Sequence, residues 1–415
     1  MSKVIFFNLP GASGHINPTI GVVSELIQRG HEVIYYADES SRSRFEALGA
    51  KYRTYEKWFD YTHNTEAGTD ILRMANAEFE MMDACISPLL EEIKRDNPDC
   101  IVYDPCCIWG KYIGESMKIP TISSITTVVS SPWLLLSEPS LAMHIIKTIV
   151  FGAREIWGFR ERFLSLSKAL DVKYRGLPYH VFDFFACEGD LNMIFNTPEY
   201  QPYPNKLAPT FQFYGASIDD KRDIAEFDDS FRIHDTFVYV SLGTLHNDNQ
   251  SFYSKILYAF RDTNIDVLIS IGQTFDISKL GKVPGNFTIR RFVPQLEVLK
   301  TADLFITHGG MNSMNEAAWF GVPVLVVPQQ FEQEFNGKRF AKMKIGKLLC
   351  DADDSATIKK DAFSILEDSG YKINMAAYGE RMRLFGGYRR AVNDIELIIT
   401  DASELHEKLR LSPAA

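Results

Sequence analysis

Cysteine is scarce: the 415-residue chain holds 6, two of them adjacent as Cys106 and Cys107. That spacing supports neither a disulfide framework nor a zinc module. Basic residues are outnumbered, with 44 Lys plus Arg against 54 Asp plus Glu, a net charge of −10 and no long basic run. An acidic chain of this kind disfavours a nucleic-acid partner. Long apolar runs are missing as well. The longest uncharged stretch, Ile119 to Ser137, carries two prolines and many hydroxyls, so no stable membrane insertion is expected. Residues 1–9, MSKVIFFNL, are too short for a secretory signal, and the expected location is the reduced cytoplasm. No repeat of fixed period and no low-complexity segment occurs.

What is present is size and alternation. At 46% hydrophobic and 24% charged residues the chain is globular, and its length exceeds one ordinary core. Short apolar runs (VIFFNL, 4–9; HEVIYYA, 31–37; CIVYD, 100–104; PTISSI, 120–125) alternate with helical patterns over 17–30 and about 40–49. Strands buried on both faces and separated by helices predict a parallel sheet of an α/β protein. The stretch 138–185 is mostly helical in pattern. LNMIFN (191–196) and FQFYG (211–215) resume the sheet, and the polar run 217–235 reads as a linker. Alternation restarts with FVYVSLG (237–243), DVLISIG (266–272), NFTIRRF (286–292), DLFITHG (303–309) and PVLVVP (323–328). Two consecutive doubly wound halves follow, with ligands expected beyond the carboxyl ends of the strands.

Three loops at such ends carry candidate chemistry. PGASGHINP, residues 10–18, has Gly11 and Gly14 for a tight strand-to-helix junction and Pro18 for a first helical turn. As a dinucleotide fingerprint it places Ser13 and Ile16 where glycines belong, although Asp38 stands where a ribose-binding acid would. His15 in this loop suits proton removal near neutral pH, or packs against the loop backbone. The unit 303–333 ends a strand in His308, Gly309 and Gly310 and opens a helix at Asn312, an arrangement suited to an anion. Ser313 and Glu316 fit a phosphate and ribose there, or else form a capping box. Thr244, in SLGT, is a further hydroxyl at a strand end or a turn residue. Asp351 and Asp353 form a D-x-D pattern, read as acids that cap the helix after Ser355 rather than as metal ligands.

The run from Phe292 to Gln333 resembles the donor-binding signature of the UDP-glycosyltransferases of glycosyltransferase family 1, and PGASGHINP resembles their catalytic-histidine loop. The whole chain looks closest to the bacterial macrolide and natural-product branch. The resemblance implies a GT-B fold: two Rossmann-like domains facing across a cleft, 1–218 binding the acceptor and 219–385 the donor, with 386–415 returning as a helix to the first. It implies His15 as general base and Asp104 as its orienting partner. Phe292 would stack on uracil, Val293 pair its edge, and Gln295 and Glu316 meet the ribose. Thr244, His308, Gly310, Asn312 and Ser313 would surround the diphosphate, Gly14 would be a further donor contact, and Glu332 and Gln333 would hold the hexose. Phe292 stands where many plant members have Trp, and Glu332 where Asp is frequent. The implied reaction is inverting, metal-independent transfer of a hexose, glucose first, from a UDP-sugar co-substrate to a small apolar acceptor. Flavonoids, polyketides or macrolides, and terpenoids fit the aromatic residues between Phe59 and Phe163, with Phe79, Trp109 and Trp133 as acceptor contacts. No permanently bound cofactor is expected. The alternatives are an inactive nucleotide-sugar-binding protein and an NAD-dependent oxidoreductase.

Overall fold

The computed structural model describes residues 1–59, 71–129, 187–219, 227–243, 249–273, 275–350 and 354–400, with a few isolated positions between 134 and 169. The chain divides into two compact units, Met1–Ser217 with the segment from Phe385 onward, and Ile218–Leu384.

The first unit is built on strands β1 (Lys3–Phe7), β2 (Glu32–Ala37), β3 (Lys51–Thr54), β4 (Cys100–Tyr103), β5 (Thr121–Ile125), β6 (Leu191–Ile194) and β7 (Phe211–Phe213). Helices α1 (Ser13–Gln28), α2 (Arg42–Leu48), α3 (Ile71–Asp96) and α4 (Ile108–Met117) connect them. All neighbouring strands run parallel, in the order β3-β2-β1-β4-β5-β6-β7. Strands of Val, Ile, Phe and Tyr feed two buried clusters, one per face. Ile5, Phe7, Ile34 and Tyr36 point into the cluster closed by α3 and α4. Val4, Phe6, Val33 and Tyr35 point into the one closed by α1. This alternation is the period-two pattern of a sheet covered on both sides.

The second unit holds β8 (Thr236–Ser241), α5 (Gln250–Phe260), β9 (Ile265–Ser270), β10 (Phe287–Arg290), α6 (Gln295–Leu299) and β11 (Leu304–Thr307). It continues with α7 (Met311–Trp319), β12 (Val324–Val326), α8 (Phe331–Lys342), β13 (Gly346–Leu348), α9 (Ser355–Glu367) and α10 (Ser369–Leu384). Its parallel sheet runs β10-β9-β8-β11-β12-β13. The last helix, α11 (Gly387–Thr400), belongs to the first unit. Its Ile395 and Val392 are buried with Val23 and Leu26 of α1. Glu396 there accepts from Arg29 at 2.7 Å and pairs with His31 at 3.0 Å.

In both sheets the order in which the chain adds strands reverses between the first and fourth strands, β1/β4 and β8/β11. In doubly wound sheets such a switch point opens the crevice in which ligands bind. The loops to inspect are therefore those after β1, β4, β8 and β11.

Three local expectations are corrected. Helix α1 starts at Ser13 rather than 17, so Gly14 and His15 lie in its first turn and Pro18 inside it. Proline at that point removes a donor, and the Ser217 hydroxyl donates to the Pro18 carbonyl. The acid that caps α9 is Asp354, whose Oδ1 accepts from Thr357 N at 2.8 Å; Asp351 and Asp353 lie outside the described residues. Ser313 and Glu316 do not form a capping box. Gly310 is the N-cap of α7, which puts Ser313 at the third helical position, where its hydroxyl cannot cap. The helical pattern of 138–185 falls almost wholly outside the described residues.

Candidate active site

In the first unit the switch point carries a histidine–carboxylate pair. His15 Nδ1 lies 2.7 Å from Asp104 Oδ2, with the imidazole 29% and the carboxylate 1% exposed. The chain folds to bring them together because β1 and β4 are neighbours, and Asp104 N donates to Phe7 O at 2.9 Å. The other carboxylate oxygen accepts from Cys106 N at 2.9 Å. A carboxylate only accepts, so it holds Nδ1 as the donor and leaves Nε2 as the basic atom.

The helix turn that carries His15 is fixed from below. Buried Asn8 donates through Nδ2 to the His15 carbonyl at 3.3 Å and to Tyr35 Oη at 2.8 Å, and Thr19 shares the same phenol at 2.8 Å. Gly11 adopts a left-handed φ of 72°, which glycine alone tolerates freely. A Cβ on Gly14 would meet nothing within 4 Å, so no neighbouring group demands glycine there.

Glu78 of α3 is a neighbour that the sequence did not advertise. Burial raises its carboxyl to about 8, the nearby Asp104 charge pushes the same way, and the Cys106 thiol and His15 pull it down. Burial thus favours its protonated form beside the pair. Burial likewise holds the Cys106 thiol well above its ordinary range. Among the described residues, His15, Asp104 and Cys106 present one nitrogen, one oxygen and one sulfur within 4.8 Å of one another.

In the second unit the switch point carries His308, after β11. Its ring lies against two glycines: a Cβ on Gly243 would come within 2.7 Å of it, and one on Gly310 within 2.5 Å. Gly309, at φ 88°, is held by Asn336 Nδ2, which donates to its carbonyl at 2.7 Å. The glycines thus clear space for the imidazole and thin the backbone where α7 begins. The N-cap residue Gly310 makes no side-chain cap, and the first amides of a helix have no partner within the helix, an arrangement chemically suited to an anion.

One turn further on, Glu316 is fully buried. Its carboxylate accepts from Gln295 Nε2 at 2.6 Å and from Asn312 Nδ2 at 2.8 Å. Gln295 Nε2 also reaches Ser313 Oγ at 3.3 Å, and Gln295 Oε1 accepts from the buried Tyr239 phenol at 3.1 Å. Gln295, Asn312, Ser313 and Glu316 are thus one network. Phe292 stands 72% exposed beside buried Val293. Gln333 is buried and accepts from Gln329 N at 2.7 Å, whereas Glu332 is exposed in the first turn of α8.

The acceptor contacts fare differently. Trp109 has no exposed surface; its ring sits in the core edge-on to Tyr55, 5.5 Å between centroids, so it cannot touch an acceptor there. Phe79 is on α3, but its side chain lies outside the described residues, as do Trp133 and Thr244.

Residues 254–383 match the family model described as Erythromycin biosynthesis protein CIII-like, C-terminal domain. Over 410 residues the chain is 30% identical to NDP-glycosyltransferase YjiC of Bacillus licheniformis, covering 96% of this chain and 98% of that one. It is 28% identical over 400 residues to the uncharacterized UDP-glucosyltransferase YojK of Bacillus subtilis, covering 95% and 97%. The solved glycotransferase of kitacinnamycin superposes with a TM-score of 0.82 at 22% identity, covering 95% of this chain and 98% of that one. At that identity the likeness establishes the fold. The chain belongs to the natural-product glycosyltransferases of family 1, has the α/β GT-B fold, and is a transferase of sugar from a nucleotide sugar.

Proposed function

We propose that the protein is an inverting hexosyltransferase that uses a UDP-sugar, glucose first, and needs no metal for the transfer step. The observation that carries this reading is the His15–Asp104 pair at the switch point of the first sheet. His15 Nε2 takes the proton of an acceptor hydroxyl, and Asp104 stabilises the imidazolium that forms. The freed oxygen attacks the anomeric carbon. The bond from that carbon to the diphosphate oxygen breaks, and its electron pair leaves with UDP. A single displacement inverts the anomeric centre.

Charge builds on the leaving diphosphate, and fixed donors stabilise it best when they are aimed beforehand. His308, Gly310, Asn312, Ser313 and the amides opening α7 are assigned to it, with Thr244 and Gly14 as further contacts. Phe292 stacks on uracil, its exposed ring being suited to a base face. Val293 pairs the base edge through its backbone. Glu316 takes ribose hydroxyls in exchange for Gln295, which turns to the same sugar. Glu332 and Gln333 hold the hexose.

The acceptor is assigned to small apolar aglycones, polyketides and macrolides first, flavonoids and terpenoids next. The names of the relatives support UDP-glucose and a macrolide pathway. The scarcity of cysteine supports a reduced, cytoplasmic setting. Incubating the protein with a panel of UDP-sugars and mixed phenolic and macrolide acceptors, read by mass spectrometry and by NMR of the anomeric centre, tests the proposal. A β-linked product from an α-linked donor is expected. Retention of configuration, or no product with any pair, would sink it.

A further inference from the structure

Cys106 follows Asp104 by two positions at the end of β4, and the transfer reaction has no use for its thiol. The geometry points to a cation site: His15, Asp104 and Cys106 bind one thiophilic divalent ion, of which zinc is the natural probe, and the bound ion switches transfer off. One ligand atom from each already lies within 4.8 Å of the others. A tetrahedral zinc with ligand bonds of about 2.0–2.3 Å sets its nitrogen and oxygen ligands about 3.3 Å apart, and its sulfur about 3.6 Å from either. The imidazole and carboxylate, now 2.7 Å apart, need to open by only several tenths of an ångström.

The donor set selects the ion. A thiolate, an imidazole and one carboxylate suit a borderline-soft cation, whereas magnesium and manganese prefer oxygen ligands. Three protein ligands with a fourth position left to water form an open site. The partly exposed His15 ring supplies the entry path. The scaffold is also stiff. Cys106 N already donates to Asp104 Oδ1 at 2.9 Å, and Cys107 N closes the turn on Asp104 O at 2.7 Å.

The proton balance explains the switch. On binding, the Cys106 S–H proton leaves to solvent and the sulfur pairs with the cation. The ring proton of His15 moves through solvent from Nδ1, now a ligand, to Nε2. A protonated Nε2 cannot accept the acceptor's proton. The inhibitory half of the inference rests on His15 as base; the binding half does not.

Titration calorimetry of the chelator-treated protein with zinc chloride provides the test. One ion per chain is expected, bound at least about tenfold more weakly by Cys106→Ser and unchanged by Cys350→Ser, which removes the exposed thiol. Cobalt(II) should give a thiolate-to-metal charge-transfer band that survives Cys350→Ser. It should also block alkylation of Cys106 as mapped by mass spectrometry, a readout that needs no folded Cys106 variant. Equal zinc affinity in Cys106→Ser, or alkylation of Cys106 undiminished by cobalt, would overturn the site while leaving His15 free to be the base. Tight binding at Cys106 with transfer undiminished would overturn the switch and count against His15 as base instead.

Discussion

Replacing Glu316 by alanine separates a structural carboxylate from a donor-binding one. The carboxylate is fully buried, and each of its oxygens takes an amide donor, from Gln295 at 2.6 Å and Asn312 at 2.8 Å. A hydrogen bond to a charged group contributes roughly 1.5–3 kcal/mol, so losing both and leaving two amides without their acceptor should cost roughly 3–5 kcal/mol of stability. Urea denaturation should show that loss directly. If Glu316 also meets the ribose, UDP should bind more weakly by roughly 1.5–3 kcal/mol, about 10- to 150-fold in Kd. Calorimetric titration with UDP, well below the melting transition, reads this second number. Glu316→Gln, which keeps the volume, serves as the check should the alanine variant not fold. A loss of stability with unchanged UDP affinity in both variants would refute the donor role and leave Glu316 as a structural tie between α6 and α7.

Glu78→Gln tests the buried acid beside the His15–Asp104 pair. The native carboxyl titrates at about 8 against an ordinary 4.5, so the folded state holds a proton that the unfolded state has lost between those values. Stability should therefore fall as pH rises through that window, by at most roughly 5 kcal/mol, and level off above it. Urea midpoints of the Gln variant should lose this slope relative to the parent; parallel curves would remove Glu78 from the account. Transfer should continue in EDTA, and loss restored by magnesium or manganese would show a metal-dependent step and return Asp351 and Asp353 to consideration. Asp104→Asn should slow transfer by less than loss of the imidazole does, because Nε2 remains but its tautomer is no longer imposed; an equal or larger loss would give Asp104 a role of its own.

The parts legible in the sequence were those carried by local pattern. Apolar runs such as VIFFNL and CIVYD mark strand centres because both faces of a parallel sheet are buried, and their ends locate His15 and Asp104. The meeting of those two residues, 89 positions apart, depends on β1 and β4 being neighbours, which topology supplies and spacing does not. Ser313 and Glu316 had the spacing of a capping box but the wrong register, since the helix opens one residue after Gly310. The D-x-D acids likewise stood one residue short of the cap that Asp354 provides. Trp109 was expected as an acceptor contact, but sequence does not distinguish a core aromatic from one lining a pocket; it is fully buried, edge-on to Tyr55. Glu78 gave no signal. A glutamate within a helix is ordinary until tertiary packing removes its solvent.

The rate of His15→Ala across acceptors of graded acidity tests the central claim most directly. An aliphatic alcohol ionises far above neutral pH, so a positioned base should be worth about 10²–10⁴-fold for it. A thiol or acidic phenol, partly ionised already, should lose much less, and UDP affinity should stay within a few-fold of the parent. Equal losses for every acceptor, or a loss expressed mainly as weaker UDP binding, would contradict the account and place the base elsewhere.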